Sequence, residues 1–257
     1  MNKFFFTFDK NKKAQSLKKT LLKKFKNTSI KKSKAIIVCG GYGFMLSNIK
    51  KFYKYKIPFY GINCGSFGFL LNNLKNSNLE KIINNSKKSV ISPLKVVVKY
   101  KKNKIKSLIA INEISLFRQS RQTAIINLKI GNKYIIKKLI GDGILICTPA
   151  GSTAYNLSVN GPILSLNSGK LGVTPISPFR PRRWSGKVIS DKHKIKINNL
   201  NSDNKRPVAA VADNIEIRNV TNLIISMDKK IKINILFDKD RSLTKRIKLE
   251  QIRKKSF

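Results

Sequence analysis

At 257 residues, 41% of them hydrophobic, the chain is long enough for one large or two modest domains with a substantial core. No apolar run approaches the roughly 18 residues of a membrane span, and the apolar stretch in Met1 to Asp9 is too short for a secretory signal, so a cytoplasmic chain with no membrane partner is expected. A formal net charge of +42 raises nucleic-acid binding, but the lysines are dispersed among Ile and Asn and form no patch; weak, sequence-blind association and attraction of anionic small molecules are expected, with no specific nucleic-acid partner.

In chain order, KFFFTF at 3–8 reads as a strand, followed by a helix with Leu17, Leu21, Leu22 and Phe25 at helical spacing and Asp9 or Asn11 as its cap. AIIVC at 35–39 is a second strand that runs into Gly40-Gly41-Tyr42-Gly43, and a helix begins with Phe44, Met45, Leu46 and Ile49. IPFYGIN at 57–63 is a third strand, leading through CGSFGFLL to a further helix. This alternation predicts a Rossmann-like α/β domain over residues 1–88, whose ligands collect at the carboxyl ends of the strands.

From about residue 90 the period changes. Segments 90–101, 105–118, 122–130, 134–147, 187–197 and 206–228 are rich in Ile and Val and broken by Gly, Asn and Pro, which predicts an antiparallel β domain over 89–228. Residues 229–257 hold one more strand, IKINILF, and a basic tail expected to return to the first domain.

The segment GDGILICTPAGSTAYNLSVNGPI at 141–163 is the most informative. Ile144, Leu145 and Ile146 form a strand, Pro149 and Gly151 end it, and Ser152, Thr153, Tyr155, Asn156 and Ser158 then place five hydrogen-bonding side chains within seven positions. That density suits a sugar or a phosphate; a helix cap alone needs fewer. The GGYG turn resembles a phosphate cradle, because closely placed glycines let backbone N–H groups approach anionic oxygens, and a plain tight turn is the other reading. It is neither GxGxxG nor GxxxxGK[ST], which disfavours dinucleotide oxidoreductases and Walker ATPases.

Asn112-Glu113 at a strand end match the donors and acceptors of vicinal ribose hydroxyls, or are simply solvated; Asp142 between glycines is a ligand contact or an Asx turn. Arg180, Arg182 and Arg183 suit phosphate or acids at a subunit contact, the second being preferred. Cys39, Cys64 and Cys147 are widely spaced and read as small core residues. His193, the sole histidine, lies among lysines, so His triads, zinc sites and cysteine nucleophiles lack partners and no protein metal site is expected.

GGYGFML, GINCGSFGFL, NEISLFRQSRQ, GDGILICTPAGSTAYNLS, TPISPFRPRRW and RPVAAVAD, in this order, resemble the bacterial NAD kinases over nearly the whole chain. The resemblance implies an N-terminal α/β domain, a C-terminal antiparallel β-sandwich-like domain and an active site between them. It implies NAD and ATP as substrates, Mg²⁺ or another divalent metal, and a homo-oligomer, dimer or tetramer. Carried over by motif, Gly40 and Gly41 hold phosphate and Gly43 borders the nucleotide. Phe67 flanks an adenine, Asn112 and Glu113 bind ribose, and Asp142 and Ala150 line the NAD pocket. Thr153, Ala154, Tyr155, Asn156, Leu157 and Ser158 hold the nucleotide.

The family's GGDG aspartate, its general base toward the ribose 2′-hydroxyl, is Tyr42 here. A phenol with an ordinary pKa near 10 stays protonated at neutral pH, so transfer is expected to be weakened and binding spared. Two other classes of function stay open at this point: a noncatalytic NAD- or NADP-binding protein, and a lipid kinase sharing the GGxG turn, which the NE pair and GSTAYNLS disfavour.

Overall fold

Aromatic and β-branched runs alternate with lysine-rich amphipathic stretches at the start of the chain, and they fold as β/α units. The computed structural model describes residues 3–65, 68–74, 78–101, 103–200, 205–239 and 244–248. Strand β1 (Phe4–Phe8) pairs in parallel with β2 (Ala35–Gly40), from Phe4↔Ala35 to Phe8↔Cys39, across helix α1 (Lys12–Lys24). Of the two caps offered by the sequence, Asn11 is used: its Oδ1 accepts from the Ala14 N–H at 2.9 Å. All six residues of β2 are buried, as expected of a strand covered on both faces.

Helix α2 (Tyr42–Phe52) starts one residue after β2, with Gly41 as N-cap, and β3 (Phe59–Asn63) returns parallel to β2. After the CGSFGFLL loop a two-residue strand, β4 (Leu71–Asn72), adds to β3 before α3 (Leu79–Asn84) and β5 (Lys87–Ile91). The short strand β4 was not legible in the sequence.

The strands from Leu94 onward are antiparallel: β6 (Leu94–Tyr100), β7 (Lys104–Ala110), β8 (Glu113–Arg118), β9 (Ala124–Ile130), β10 (Lys133–Gly141) and β11 (Gly143–Cys147). After the short helix α4 (Tyr155–Ser158) come β12 (Lys170–Ile176), β13 (Lys187–Ser190), β14 (Ile195–Asn199), β15 (Val208–Ala212), β16 (Ile215–Ile217) and β17 (Val220–Met227). They form two six-stranded sheets, β10-β9-β14-β17-β6-β7 and β13-β12-β11-β8-β15-β16. Val96, Leu128 and Ile197 from the first and Ile114, Ile144 and Val173 from the second share one buried core, which makes this a sandwich.

Two runs that read as single strands change sheets midway. Residues 105–118 break at Ile111-Asn112, between β7 and β8, and 134–147 break at Asp142, between β10 and β11. Both corners fall on residues singled out for binding. Strand β12 went unread because it contains Gly172 and Pro175, which lower strand propensity. Its ladder with β13 ends at Val173, so Pro175 faces a partner on only one side.

The final strand, β18 (Ile233–Phe237), joins the first sheet, parallel to β3 and antiparallel to β5, giving the order β1-β2-β3-β18-β5. The chain thus divides into two compact units, Met1–Ile91 with Ile231–Leu249, and Ser92–Lys230. No helix among the described residues is long and apolar enough to cross a membrane.

Candidate functional site

In the first unit the predicted phosphate turn lies where β2 meets α2, at the carboxyl end of a parallel strand. Gly40 is required by packing: a Cβ there would sit 2.5 Å from Phe44 Cδ1 and 2.9 Å from Asp9 Cβ. Gly41 and Gly43 differ. A Cβ on either would meet no described atom within 4 Å, and neither has a positive φ. Gly43 lies in the first turn of α2, where glycine costs up to about 1 kcal/mol relative to alanine. Neither packing nor backbone conformation explains these glycines, and both border open space.

Asp9, at the end of β1, borders this turn. Its N–H donates to Cys39 O at 2.9 Å, and its Oδ2 accepts from the Gly41 N–H at 3.4 Å. On the other side Gly65 of the CGSFGFLL loop comes so close that a Cβ on it would be 3.3 Å from Gly41 Cα. Arg246 donates to Gly68 O and Phe69 O in that loop, and Asn72, just after it, donates to Gly61 O and Leu236 O. Tyr42 is half-buried at the start of α2. Phe67, expected to flank an adenine, lies outside the described residues.

In the second unit the Asn112 corner and the TPAG turn converge, while the Asp142 corner lies at the other end of the ladder between β8 and β11. Thr148 is the fastener: its N–H donates to Asn112 O and its Oγ1 to Ile111 O, both at 2.8 Å, while Oγ1 accepts from the Gly151 N–H at 3.0 Å. A Cβ on Gly151 would overlap the Asn112 backbone, so only glycine lets the turn lie on the Asn112-Glu113 corner. Asp213 secures the corner from beneath, with its carboxylate accepting from the Ile111 and Asn112 N–H groups at 2.9 and 2.8 Å. The sequence marked RPVAAVAD as a motif without assigning Asp213 this task. Its signal was an acid closing an apolar strand before a turn, and Asp213 indeed has a positive φ of 53°.

The hydroxyl-rich stretch divides into structural and available groups. Ser152 and Asn156 are fully buried and serve the loop. Ser152 Oγ donates to Pro149 O and accepts from Leu164 N, while Asn156 Nδ2 donates to Ser152 O and Pro162 O and its Oδ1 accepts from Thr174 Oγ1. Ala150 is buried in the TPAG turn, and Ala154 and Leu157 are half-buried around α4. Thr153 is otherwise placed: its Oγ1 is buried and has no hydrogen-bond partner among the described residues. Such an orphaned hydroxyl calls for a ligand or water.

Tyr155 is exposed and stacks obliquely on Phe117 with centroids 5.8 Å apart. Partial burial, then the negative charges of Asp142 and Glu113, push its phenol pKa up. Asp142 is paired with Arg118, whose guanidinium also holds Ser120 O. Ser158 opens on a cavity of about 440 Å³ that also exposes Arg182, Arg183 and Trp184. Arg180 is used through its backbone, which bridges to Ile140, and with Arg182 it faces the Phe179 ring at 5.3 and 5.4 Å. Cys39, Cys64 and Cys147 are buried free thiols, and burial pushes Cys147 up to about 12.

A family model for the ATP-NAD kinase C-terminal domain matches residues 111–233. Relatives include an NAD kinase of Rickettsia felis, 41% identical over 251 residues and 98% of both chains, and one of Zymomonas mobilis subsp. mobilis, 38% identical over 243 residues and 94% of both. Among solved structures, yeast NADH kinase complexed with NADH superposes with a TM-score of 0.77 over 93% of this chain and 84% of that one, at 18% identity. An NAD kinase from Archaeoglobus fulgidus in complex with ATP gives 0.72 over 96% of both, at 20% identity. At that identity the two structures establish the fold.

Proposed function

The chain belongs to the NAD kinase family, and on that premise we propose that it transfers the γ-phosphoryl group of ATP to the 2′-hydroxyl of the adenosine ribose of NAD, giving NADP and ADP. The observation that carries the reading is the 41% identity to the Rickettsia felis NAD kinase across 98% of both chains.

The residues support a division of labour. In the second unit Asn112 and Glu113 receive the ribose, and Thr153, with its orphaned hydroxyl, leads the contacts of Ala154, Tyr155, Leu157 and Ser158 to the dinucleotide, with Asn156 holding the loop from within. Asp142 and Ala150 border the same pocket. In the first unit the open space at Gly41 and Gly43 receives phosphate oxygens against backbone N–H groups, and Gly40 keeps that turn tight. Since phosphoryl transfer depends chiefly on alignment and charge stabilisation, binding of this kind is most of the catalysis.

A divalent cation fits a donor-borne role. No three His, Cys, Asp or Glu side chains cluster as a metal site among the described residues, and Mg²⁺ commonly arrives on substrate phosphates with one or two carboxylates completing its shell. When bound, it neutralises charge on the β- and γ-phosphate oxygens. The protein is assigned to the cytoplasm as a homo-oligomer, in keeping with the family resemblance.

The test is NADP formation from NAD and Mg-ATP by the purified chain, read with an NADP-specific dehydrogenase, alongside NAD binding by calorimetry. Equal amounts of NADP and ADP are expected. NAD binding with no NADP would replace this reading with that of a noncatalytic cofactor-binding protein.

A further inference from the structure

We propose that the cavity of about 440 Å³ beside α4 is a binding site for a phosphate group, clamped by Arg182 and Arg183 and flanked by Trp184. The inference goes beyond the kinase reading and does not rest on it. Every residue that lines the cavity belongs to the second unit.

The walls are fixed by contacts of their own. One wall is the loop from Phe179 to Gly186, tied at its start to β10: the Phe179 N–H donates to Ile140 O at 2.7 Å, and the Ile140 N–H donates to Arg180 O at 2.8 Å. At its end Gly186 has a φ of 100°, and a Cβ there would be 2.2 Å from Val173 O, so the loop lies directly on β12. Trp184 packs one side against the sandwich core and lines the cavity with the other. The opposite wall is the end of α4, where Asn160 turns back with a φ of 60° and its N–H donates to Leu157 O at 3.0 Å.

The chemistry of the lining matches an anion. Arg182 and Arg183 bring two guanidinium forks, and Ser158, Asn160, Ser177 and Ser185 bring hydroxyl and amide donors. No acid among the described residues lines the cavity. The ion pairs of the described residues are Arg118–Asp142, Arg218–Glu216 and Lys229–Asp191, so neither guanidinium has a carboxylate partner. Two adjacent like charges that share one concave space repel each other, and a phosphate between them relieves that repulsion through paired, charge-assisted hydrogen bonds. The Phe179 ring, 5.4 Å from the Arg182 guanidinium, steadies that side chain at the rim. The dispersed lysines of the chain attract anions without shaping a space for them; here donors converge on one.

Trp184 is the only tryptophan of the chain, so its emission reports on this cavity. The experiment titrates the full chain at fixed ionic strength with inorganic phosphate, NAD and NADP, following that emission, with melting temperature, sedimentation and NADP formation from NAD and Mg-ATP measured in parallel. Inorganic phosphate is expected to change the emission saturably, and Arg182→Gln with Arg183→Gln to weaken its apparent affinity at least about tenfold, the scale of lost charge-assisted hydrogen bonds. Lys95→Gln with Lys99→Gln removes the same charge from exposed positions on β6 and should change that affinity less than about twofold. Ser185→Glu keeps both arginines and sets a carboxylate at an exposed position of the lining; it should weaken phosphate as much, and it guards against misfolding of the arginine variant. A dinucleotide phosphate as the occupant gives NAD or NADP tighter binding than inorganic phosphate, lost by the same factor in the arginine variant; a free phosphate leaves dinucleotide affinity unchanged there. Emission unmoved by all three titrants, or an equal loss in the lysine control, overturns the proposal. So does an arginine variant that alters only sedimentation, which returns these arginines to acids at a subunit contact. Phosphate held by the arginines in a chain that makes no NADP sinks the kinase reading alone, and NADP made with no emission response sinks this one alone.

Discussion

Asn156 and Tyr155 are adjacent in a stretch whose sequence gives every polar side chain the same appearance, yet they do opposite things. Asn156 is fully buried and bonded at both ends of its amide, so Asn156→Ala should cost about 2–3 kcal/mol, read from the urea midpoint at unchanged slope. Tyr155 is exposed, and Tyr155→Phe should change stability by less than about 0.5 kcal/mol while raising KM for NAD. Equal destabilisation by the two would refute this division. Only a structure could make it, because it depends on Thr174 and Pro162, which meet Asn156 across the loop. Tyr42→Asp shortens the side chain after the phosphate turn and adds an acceptor. Steady-state assay should show kcat higher by at least about tenfold, and an unchanged rate would reject the account of that position.

At the scale of elements, the glycines separate structure from function. Gly41→Ala and Gly43→Ala introduce a Cβ into open space, so both should fold normally, and Gly43→Ala should gain about 0.5–1 kcal/mol as a helical residue. Both should nonetheless raise KM for Mg-ATP, because the proposed reading puts phosphate in that space. Gly151→Ala should behave in the contrary way: its Cβ meets the Asn112 backbone, and overpacking of this kind costs about 1–3 kcal/mol by thermal melt. The strand-turn-helix at GGYG was readable because an apolar run, glycines and a 3.6-residue period follow each other directly. The sheet changes at Asn112 and Asp142 were not, since β7 into β8 and β10 into β11 each read as one strand-like stretch whose corner depends on the opposing sheet. Strand β12 was hidden by Gly172 and Pro175, whose tolerance depends on the ladder with β13 ending at Val173.

For the molecule as a whole, the change of period near residue 90 made an α/β unit and a β-sandwich unit legible, whereas fastening by Asp213 and Asn72 links residues more than 100 apart and left no local trace. The alkaline limit of stability follows from the core. Burial raises the Cys147 thiol from 9.0 to about 12 and pushes Cys39 and Tyr60 up as well. Groups held neutral in the folded state stabilise it fully below their unfolded pKa and less as pH climbs through the folded one. Melting temperature should therefore fall from about pH 9 upward, with a shallower fall in Cys147→Ala relative to its own neutral-pH value. The charge of +42 should also make KM for Mg-ATP rise with ionic strength, and any DNA retained at low salt should be released without sequence preference. The most direct measurement on the central claim is transfer of label from γ-³²P-ATP to NAD by the unmodified, purified chain. The account predicts label in NADP, at the 2′ position of the adenosine ribose; NAD that binds yet stays unlabelled while ATP is intact would contradict it.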